Sequence, residues 1–193
     1  MLFTWRGVWG FNETYLSGVE LFLLPIEEWL FFLCIPYACL FTYEFVRFFR
    51  KGKKGKKHQF LMLMLFIVTV SLAIISGGGV YSLSSFGLAS IFTLICLWKN
   101  PSWLGNFLRM FALIVIPFMI SNGVLTGLTF WEYPLLNLDP NVSDMIVWYN
   151  NNENLGIRIF SIPVEDIFYA FSLLGFQVMV LENIRKRGLL SFK

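Results

Sequence analysis

Five apolar runs in the sequence are each long enough to cross the hydrocarbon core of a membrane as a helix. They lie at about 21–48, 60–76, 80–98, 104–127 and 159–182. A helix rises about 1.5 Å per residue, so about 20 apolar residues span the roughly 30 Å of hydrocarbon. Only 14% of the residues are charged, against about a quarter in soluble domains. The sequence therefore predicts an all-α fold, a polytopic transmembrane helical bundle of about five spans.

The loop charges predict how this bundle lies in the cell (inner) membrane. If the basic loop 50–58 and the C-terminus are cytoplasmic, 13 of the 15 Lys and Arg residues lie inside, and only Arg6 and Arg158 lie outside. This satisfies the positive-inside rule for a multi-pass protein. The glycines of the basic loop and its place between two spans favour a solvated loop over a nucleic-acid site.

Two segments of the chain resemble one another at an offset of 138 residues, which predicts two parallel repeats related by an axis along the membrane normal. A slip of one residue also pairs Trp9 with Trp148. We expect a single membrane domain over 1–193, with a first repeat at 1–58, middle spans at 59–127 and a second repeat at 128–193. The matched pairs are Asn12 and Asn150, Gly18 and Gly156, Phe22 and Phe160, Pro25 and Pro163, Glu27 and Glu165, and Glu28 and Asp166.

Each repeat places two acidic residues at the start of a span, in the motifs PIEE and PVED. A proline followed by acidic residues is also an ordinary helix start, because the helix dipole favours negative charge there. Carboxyl groups among apolar residues in a membrane are nevertheless expensive, which makes the four acids candidate functional groups. The candidates are Glu27, Glu28, Glu165 and Asp166.

Neighbouring helical residues point about 100° apart, so one acid of each pair is expected to face a cavity. Because the two copies agree in residue type at Glu27 and Glu165, we expect these glutamates to face it. Glu28 and Asp166 are then either their partners or the actual proton donors. A carboxyl group that keeps its proton in an apolar cavity is a general acid strong enough to protonate a carbon–carbon double bond.

Aromatic residues make up 19% of the chain, more than interfacial belts require. Ring faces attract cations and would shelter a carbocation, although packing of the bundle accounts for most of the rings. Polar residues near the acids are candidates for supporting roles, with loop capping or a surface ion pair as the alternatives. The candidate substrate-binding residues are Trp29, Phe31, Phe32, Trp148, Phe168 and Tyr169, and the candidate supporting residues are Asn122, Asn150, Asn154 and Arg158.

Other chemistries find little support in the sequence. His58 is the only histidine and lies in a lysine run, and the three cysteines lie in apolar stretches, so no metal site and no Ser-His-Asp or Cys-His machinery is expected. There is no strand followed by a G-x-G-x-x-G motif to bind a flavin or nicotinamide. A small membrane transporter or proton pathway remains an alternative, as does a prenyltransferase-like enzyme, which would need two aspartate-rich magnesium sites.

Several segments together resemble the small integral-membrane lycopene cyclases of the heterodimeric or fused two-subunit type. They are GVWGFN, PIEEWLFF, ISNGVLTG and IVWYNNNENLGIRIFSIPVEDIFYAF. The resemblance covers nearly the whole chain. It implies an isomerase, an intramolecular lyase without a cofactor, that protonates linear lycopene and closes β-ionone rings to give γ-carotene and β-carotene. It also implies that the four acids correspond to the essential acidic positions of the family.

The chain departs from this family in one respect. Relatives of the fused type have two further spans before the GVWGF segment, whereas this sequence begins almost at it. We therefore expect the bundle to lack those two N-terminal spans. A preceding segment, a partner protein or a second copy of the chain would then supply the missing wall.

Overall fold

The computed structural model of the chain describes residues 2–50, 52, 55–127 and 145–188. Within this part of the chain, five helices are long and apolar enough to cross a membrane, which confirms the predicted fold class. Most of the basic loop and residues 189–193 lie outside the described residues. The helices are α1 (Leu2–Trp5), α2 (Ile26–Phe49), α3 (Lys56–Ile75), α4 (Val80–Lys99), α5 (Leu104–Leu125) and α6 (Val164–Lys186).

Short strands precede α2 and α6 and connect the two regions. β1 and β4 pair antiparallel, with Trp9 opposite Tyr149, while β2 pairs with β3 and β5 pairs with β6. The strands are β1 (Trp9–Phe11), β2 (Glu20–Leu21), β3 (Leu24–Pro25), β4 (Val147–Tyr149), β5 (Arg158–Ile159) and β6 (Ile162–Pro163).

The two hairpins and the helices that follow them have the same bounds at the offset of 138 residues. Gly18 and Gly156 both adopt positive φ angles, of 78° and 69°, and so do Phe22 and Phe160, at 52° and 58°. These left-handed residues turn the chain back on itself just before each helix. The predicted spans at 21–48 and 159–182 therefore begin too early, because their first residues form hairpins and the helices start after Pro25 and Pro163.

The helices α2 and α6 start at the same end of the bundle, as the parallel repeat predicts. Both also finish together, because the Tyr43 hydroxyl near the end of α2 donates to Glu182 near the end of α6, at 2.9 Å. We call the end at which α2 and α6 start the acidic end, and the opposite end the basic end.

The repeat extends along the helices to the basic end. Glu44 and Arg47 of α2 correspond to Glu182 and Arg185 of α6 at the same offset, and each pair forms an ion pair within its helix. Arg185 also crosses to Glu44, with its Nη2 atom 2.5 Å from Oε1. One arginine therefore ties the two repeats together at the basic end.

The middle spans form a hairpin that packs against α6. Gly77 and Gly78 adopt φ angles of 63° and 96°, so the glycine triplet makes the predicted tight turn between α3 and α4. Toward the basic end, the Phe92 ring of α4 lies 5.4 Å from that of Phe171 in α6. A Cβ atom added to Gly175 would lie 2.4 Å from the Phe92 ring, so only glycine permits this close helix contact.

Candidate active site

A cavity of about 400 Å³ lies among α2, α5 and α6. On α2 its lining residues run from Glu28 to Thr42, which is about 21 Å along a helix. The cavity is therefore elongated along the spans, a shape that suits a linear hydrocarbon. The apolar part of its wall includes Phe31, Phe32, Ile35, Pro36, Ile114, Phe118, Leu125 and Leu174.

Two carboxyl groups line the cavity, and they come from equivalent positions of the two repeats. Glu28 is the third residue of α2 and Asp166 is the third residue of α6. The expectation that Glu27 and Glu165 face the cavity is wrong, because neither lines it. Adjacent residues point about 100° apart on a helix, and both helices are rotated so that the second acid of each motif faces the cavity.

The first acid of each motif instead binds the loop before its helix. Glu27 Oε1 accepts a hydrogen bond from the Ser17 backbone N–H at 2.9 Å, and Glu165 Oε1 accepts one from the Leu155 N–H at 2.7 Å. Ser17 and Leu155 are themselves equivalent at the offset of 138 residues. The first acid of the P-x-E-[ED] motif therefore closes the turn that precedes the helix.

Glu165 makes one further contact that Glu27 lacks. The Ser82 hydroxyl of α4 donates to Glu165 Oε1 at 2.5 Å, and the Glu165 side chain is fully buried. In addition, the Glu153 carboxylate accepts from the Val80 N–H at 2.8 Å, which caps the start of α4. These two bonds attach α4 to the second repeat at the acidic end.

Asp166 accepts hydrogen bonds from three different elements. Its Oδ1 atom accepts from the Tyr81 hydroxyl of α4, and its Oδ2 atom accepts from Asn122 Nδ2 of α5 at 2.6 Å and from the Tyr149 hydroxyl of β4 at 2.9 Å. Asp166 is only 5% exposed. Asn122 thus makes the contact with an acid that the sequence suggested, and the three donors hold the carboxyl group in one orientation.

Glu28 lacks such partners: within the described part of the chain, no hydrogen bond to its carboxyl group is found. The difference has a simple origin in the repeats. The residue equivalent to Tyr149 in the first repeat is Phe11, which has no hydroxyl group to donate. The two cavity acids are therefore equivalent in position but different in surroundings.

Four aromatic residues surround the Asp166 side of the cavity and line its wall: Trp9, Tyr81, Tyr149 and Tyr169. The Tyr81 ring centroid lies 5.7 Å from that of Tyr149 and 6.4 Å from that of Tyr169. The Trp9 ring lies 6.1 Å from both Tyr81 and Tyr149. Such a group of electron-rich rings attracts positive charge in the cavity.

Tyr149 lies in β4, outside the spanning helices, and its hydroxyl remains protonated. Burial is the main cause that raises the pKa of the Tyr149 phenol well above its ordinary value of 10.0, and the neighbouring Asp166 carboxylate adds to the shift. A protonated phenol has a hydrogen to donate. Tyr149 is thus a constant hydrogen-bond donor to Asp166 at neutral pH.

Of the six aromatic residues expected at the site, Phe31, Phe32 and Tyr169 line the cavity and the other three do not. The Trp29 indole N–H donates to a β2 carbonyl at 3.0 Å, and this bond holds the ring against the hairpin. Trp148 lies over Gly10, where an added Cβ atom would be 2.2 Å from the indole ring. Phe168 points toward α4, with its ring 5.3 Å from that of Phe86.

Two of the asparagines expected near the acids stabilise loops instead. Asn150 Nδ2 donates to the Gly7 carbonyl at 3.2 Å, and Asn154 Oδ1 accepts from the Gly156 N–H at 2.7 Å. Neither asparagine has a hydrogen bond to a cavity acid among the described contacts. Loop capping, the alternative considered for them, is the arrangement that the structure has.

Arg158 pairs with neither Glu153 nor a cavity acid, the two partners that the sequence suggested. Its guanidinium group donates to the Ser161 carbonyl at 2.7 Å and to Asn151 Oδ1 at 2.8 Å. The guanidinium carbon also lies 5.9 Å from the centre of the Tyr149 ring. Arg158 therefore supports the site only indirectly, by bracing the second hairpin beside Tyr149.

Sequence reasoning missed Trp9, Tyr81 and Tyr149. The slip that matched Trp9 with Trp148 drew attention to the wrong residue, because successive strand residues point to opposite faces and Tyr149 faces the cavity. A strict offset, together with strand alternation, would have singled out Tyr149. Tyr81 carries no comparable signal, because its position depends on how the α3–α4 hairpin docks.

The fold and the site together define a polytopic helical membrane protein with two carboxyl groups in an apolar, aromatic cavity. Comparison with known families identifies the relationship: the sequence profile described as lycopene cyclase matches residues 1–46 and 78–184. The chain belongs to the lycopene cyclase family. The match includes both acidic motifs, and it leaves out residues 47–77, which contain the basic loop and α3.

Membership of this family implies a carotenoid substrate and a role in carotenoid biosynthesis. Searches of the curated proteins and of the solved structures found no match.

Proposed function

We propose that this protein is a lycopene β-cyclase that converts the linear ends of lycopene to β-ionone rings by acid–base catalysis. The products would be γ-carotene after one ring closure and β-carotene after two. The observation that carries the proposal is the meeting of Glu28 and Asp166, from equivalent positions, in a cavity that is otherwise apolar and aromatic. Family membership supports the carotenoid substrate.

Glu28 is the proposed proton donor. Its carboxyl group lacks hydrogen-bond donors in the described chain, and a charged carboxylate in an apolar wall is costly. The neutral acid transfers its proton to the terminal carbon–carbon double bond of lycopene. The resulting cation is attacked by a second double bond of the same chain, and this attack closes the six-membered ring.

Asp166 is the proposed base. Three hydrogen-bond donors stabilise negative charge on its carboxyl group. It removes one proton from the cyclic cation, and the electrons of that C–H bond form the ring double bond. One proton is added and one is lost, so the product is an isomer of the substrate and no oxidant or reductant takes part. A proton must then return from Asp166 to Glu28 before the next turnover.

The aromatic group beside Asp166 would stabilise the intermediate cation. Each ring face contributes about 0.5–2 kcal/mol, with the larger value in a dry site. Tyr81, Tyr149 and Tyr169 lie within stacking distance of one another and line the cavity. Water is the competing nucleophile, and the apolar wall limits its access to the cation.

The shape of the cavity suits one half of a carotenoid at a time. Its lining on α2 begins at Glu28 and continues about 21 Å to Thr42. The reacting end would lie beside the two acids, with the extended polyene along α2 and α5. Closure of both ends would then require the substrate to leave and enter again in the opposite direction.

We propose that the basic end of the bundle faces the cytoplasm and the acidic end faces the outer side of the cell membrane. The described cations at the basic end include Arg47, Arg50, Lys99 and Arg185, all close to the ends of spans. An excess of Lys and Arg in short cytoplasmic segments sets the orientation of multi-pass proteins.

Expression of the chain in cells that accumulate lycopene tests the proposed reaction. Extracted pigments are separated by chromatography, and γ- or β-carotene is expected with the unaltered chain. Glu28→Gln and Asp166→Asn should each leave lycopene unconverted while the protein still accumulates in the membrane. Unconverted lycopene with the unaltered, membrane-inserted chain, or full conversion by either variant, would contradict the proposal.

A further inference from the structure

A second pocket, of about 130 Å³, lies at the basic end where α4 and α6 finish. It shares no lining residue with the cavity that contains Glu28 and Asp166. Its floor is apolar, and none of the described residues that line it is acidic. The polar part of its wall consists of Lys99, Asn100, Ser102, Trp103, Asn183 and Lys186.

The two lysines of this pocket have no counter-ion among the described residues. Lys99 and Lys186 are the last residues of α4 and α6, and neither takes part in an ion pair there. Glu182, one helical turn before Lys186, is occupied by Arg185 and by the Tyr43 hydroxyl. Two free ammonium groups therefore converge on a pocket of neutral hydrogen-bonding side chains.

The pocket lies at the depth of the lipid headgroups. Trp98, next to Lys99, is 83% exposed on α4. Exposed tryptophans at the ends of membrane spans lie at the level of the lipid headgroups, because their rings are apolar and their N–H groups are polar. The apolar floor, which includes Cys96 and Met179, is continuous with the span above it.

We propose that this pocket binds the phosphate group of an anionic phospholipid, with Lys99 and Lys186 as its cationic partners. Basic pockets between spanning helices bind anionic headgroups in this way. The side-chain amides of Asn100 and Asn183 and the indole N–H of Trp103 are further donors that a phosphate can use. A choline or ethanolamine headgroup would also bring an ammonium group into a pocket that has no carboxylate to receive it. The pocket therefore favours a headgroup such as phosphatidylglycerol.

Native mass spectrometry of the detergent-solubilised full chain tests this proposal. Phosphatidylglycerol and phosphatidylcholine with the same acyl chains are titrated separately, and inorganic phosphate is added as a competitor. We expect tighter binding of phosphatidylglycerol, and a loss on the order of tenfold in the Lys99→Gln/Lys186→Gln double variant. The matched control is Lys56→Gln/Lys57→Gln, which removes two positive charges at the same end, outside the pocket.

Equal weakening in the two double variants would show that general surface charge attracts the lipid, and would overturn the proposal. Equal binding of the two lipids would also overturn it. Displacement by millimolar inorganic phosphate would assign the pocket to a free anion instead of a lipid. If the Lys99→Gln/Lys186→Gln variant fails to fold, Lys186→Gln alone, at an exposed helix end, should still weaken phosphatidylglycerol binding more than Lys57→Gln does.

Discussion

Glu28 and Asp166 occupy the same position in two copies of one structural unit, and both line one cavity. They differ in their contacts, because three donors surround Asp166 and none of them has a counterpart bound to Glu28 in the described chain. A duplicated motif has thus produced two carboxyl groups with different properties. An acid and a base are what a proton-neutral isomerisation needs.

The two neighbouring acids of α2 should respond differently to the same change. Glu28→Gln removes the proposed proton donor and should lower cyclisation by about 10²–10⁴-fold, the range for loss of a general acid. Glu27→Gln keeps an oxygen that can accept the Ser17 N–H and should retain activity within about threefold. Carotenoid production per unit of membrane-inserted protein measures both variants. Greater loss in Glu27→Gln than in Glu28→Gln would reverse the assignment.

Tyr149→Phe should weaken catalysis without removing the cavity. The variant loses the 2.9 Å hydrogen bond to Asp166 Oδ2, and a hydrogen bond to a charged group contributes about 1.5–3 kcal/mol. We expect a fall in the rate of cyclisation of roughly tenfold or more, measured with reconstituted protein and purified lycopene. Tyr37→Phe is the control, because Tyr37 is 74% exposed on α2 and does not line the cavity. An unchanged rate in Tyr149→Phe would remove Tyr149 from the catalytic arrangement.

The equivalent arginines of the two repeats should differ in their effect on stability. Arg185→Gln leaves Glu44 and Glu182 without their shared cation, in a partly buried setting, and should cost about 1–3 kcal/mol. Arg47→Gln breaks one exposed ion pair and should cost less than about 1 kcal/mol. Thermal unfolding of the two variants in the same detergent makes the comparison. Similar unfolding temperatures would mean that the contact between the repeats contributes little.

Two helical glycines should also separate, because only one lies at a close helix contact. Gly175→Ala places a Cβ atom 2.4 Å from the Phe92 ring, and such overpacking costs about 1–3 kcal/mol. Gly87→Ala meets no atom within 4 Å and should be neutral or stabilising, because alanine favours the helix. The same unfolding measurement applies. A Gly175→Ala variant as stable as the unaltered chain would show that α4 and α6 can move apart at no cost.

Sequence alone was sufficient to predict the spans, the parallel repeats and the family. The hydrocarbon core imposes a minimum length of apolar helix, and that length can be counted directly in the sequence. The repeats could be found because equivalent glycine, proline and acidic residues serve the same local turn and helix start twice. These features depend on local geometry, so the order of residues contains them.

Tertiary structure alone decided which acid of each motif faces the cavity and which aromatic residues surround it. Glu27 and Glu28 both have apolar neighbours, so periodicity does not reveal the rotation of α2, which depends on the Ser17 loop and on packing against α5 and α6. Tyr81 reaches Asp166 only because the α3–α4 hairpin docks against α6. Contacts between residues far apart in the chain depend on the packing of whole helices, and no local pattern specifies that packing.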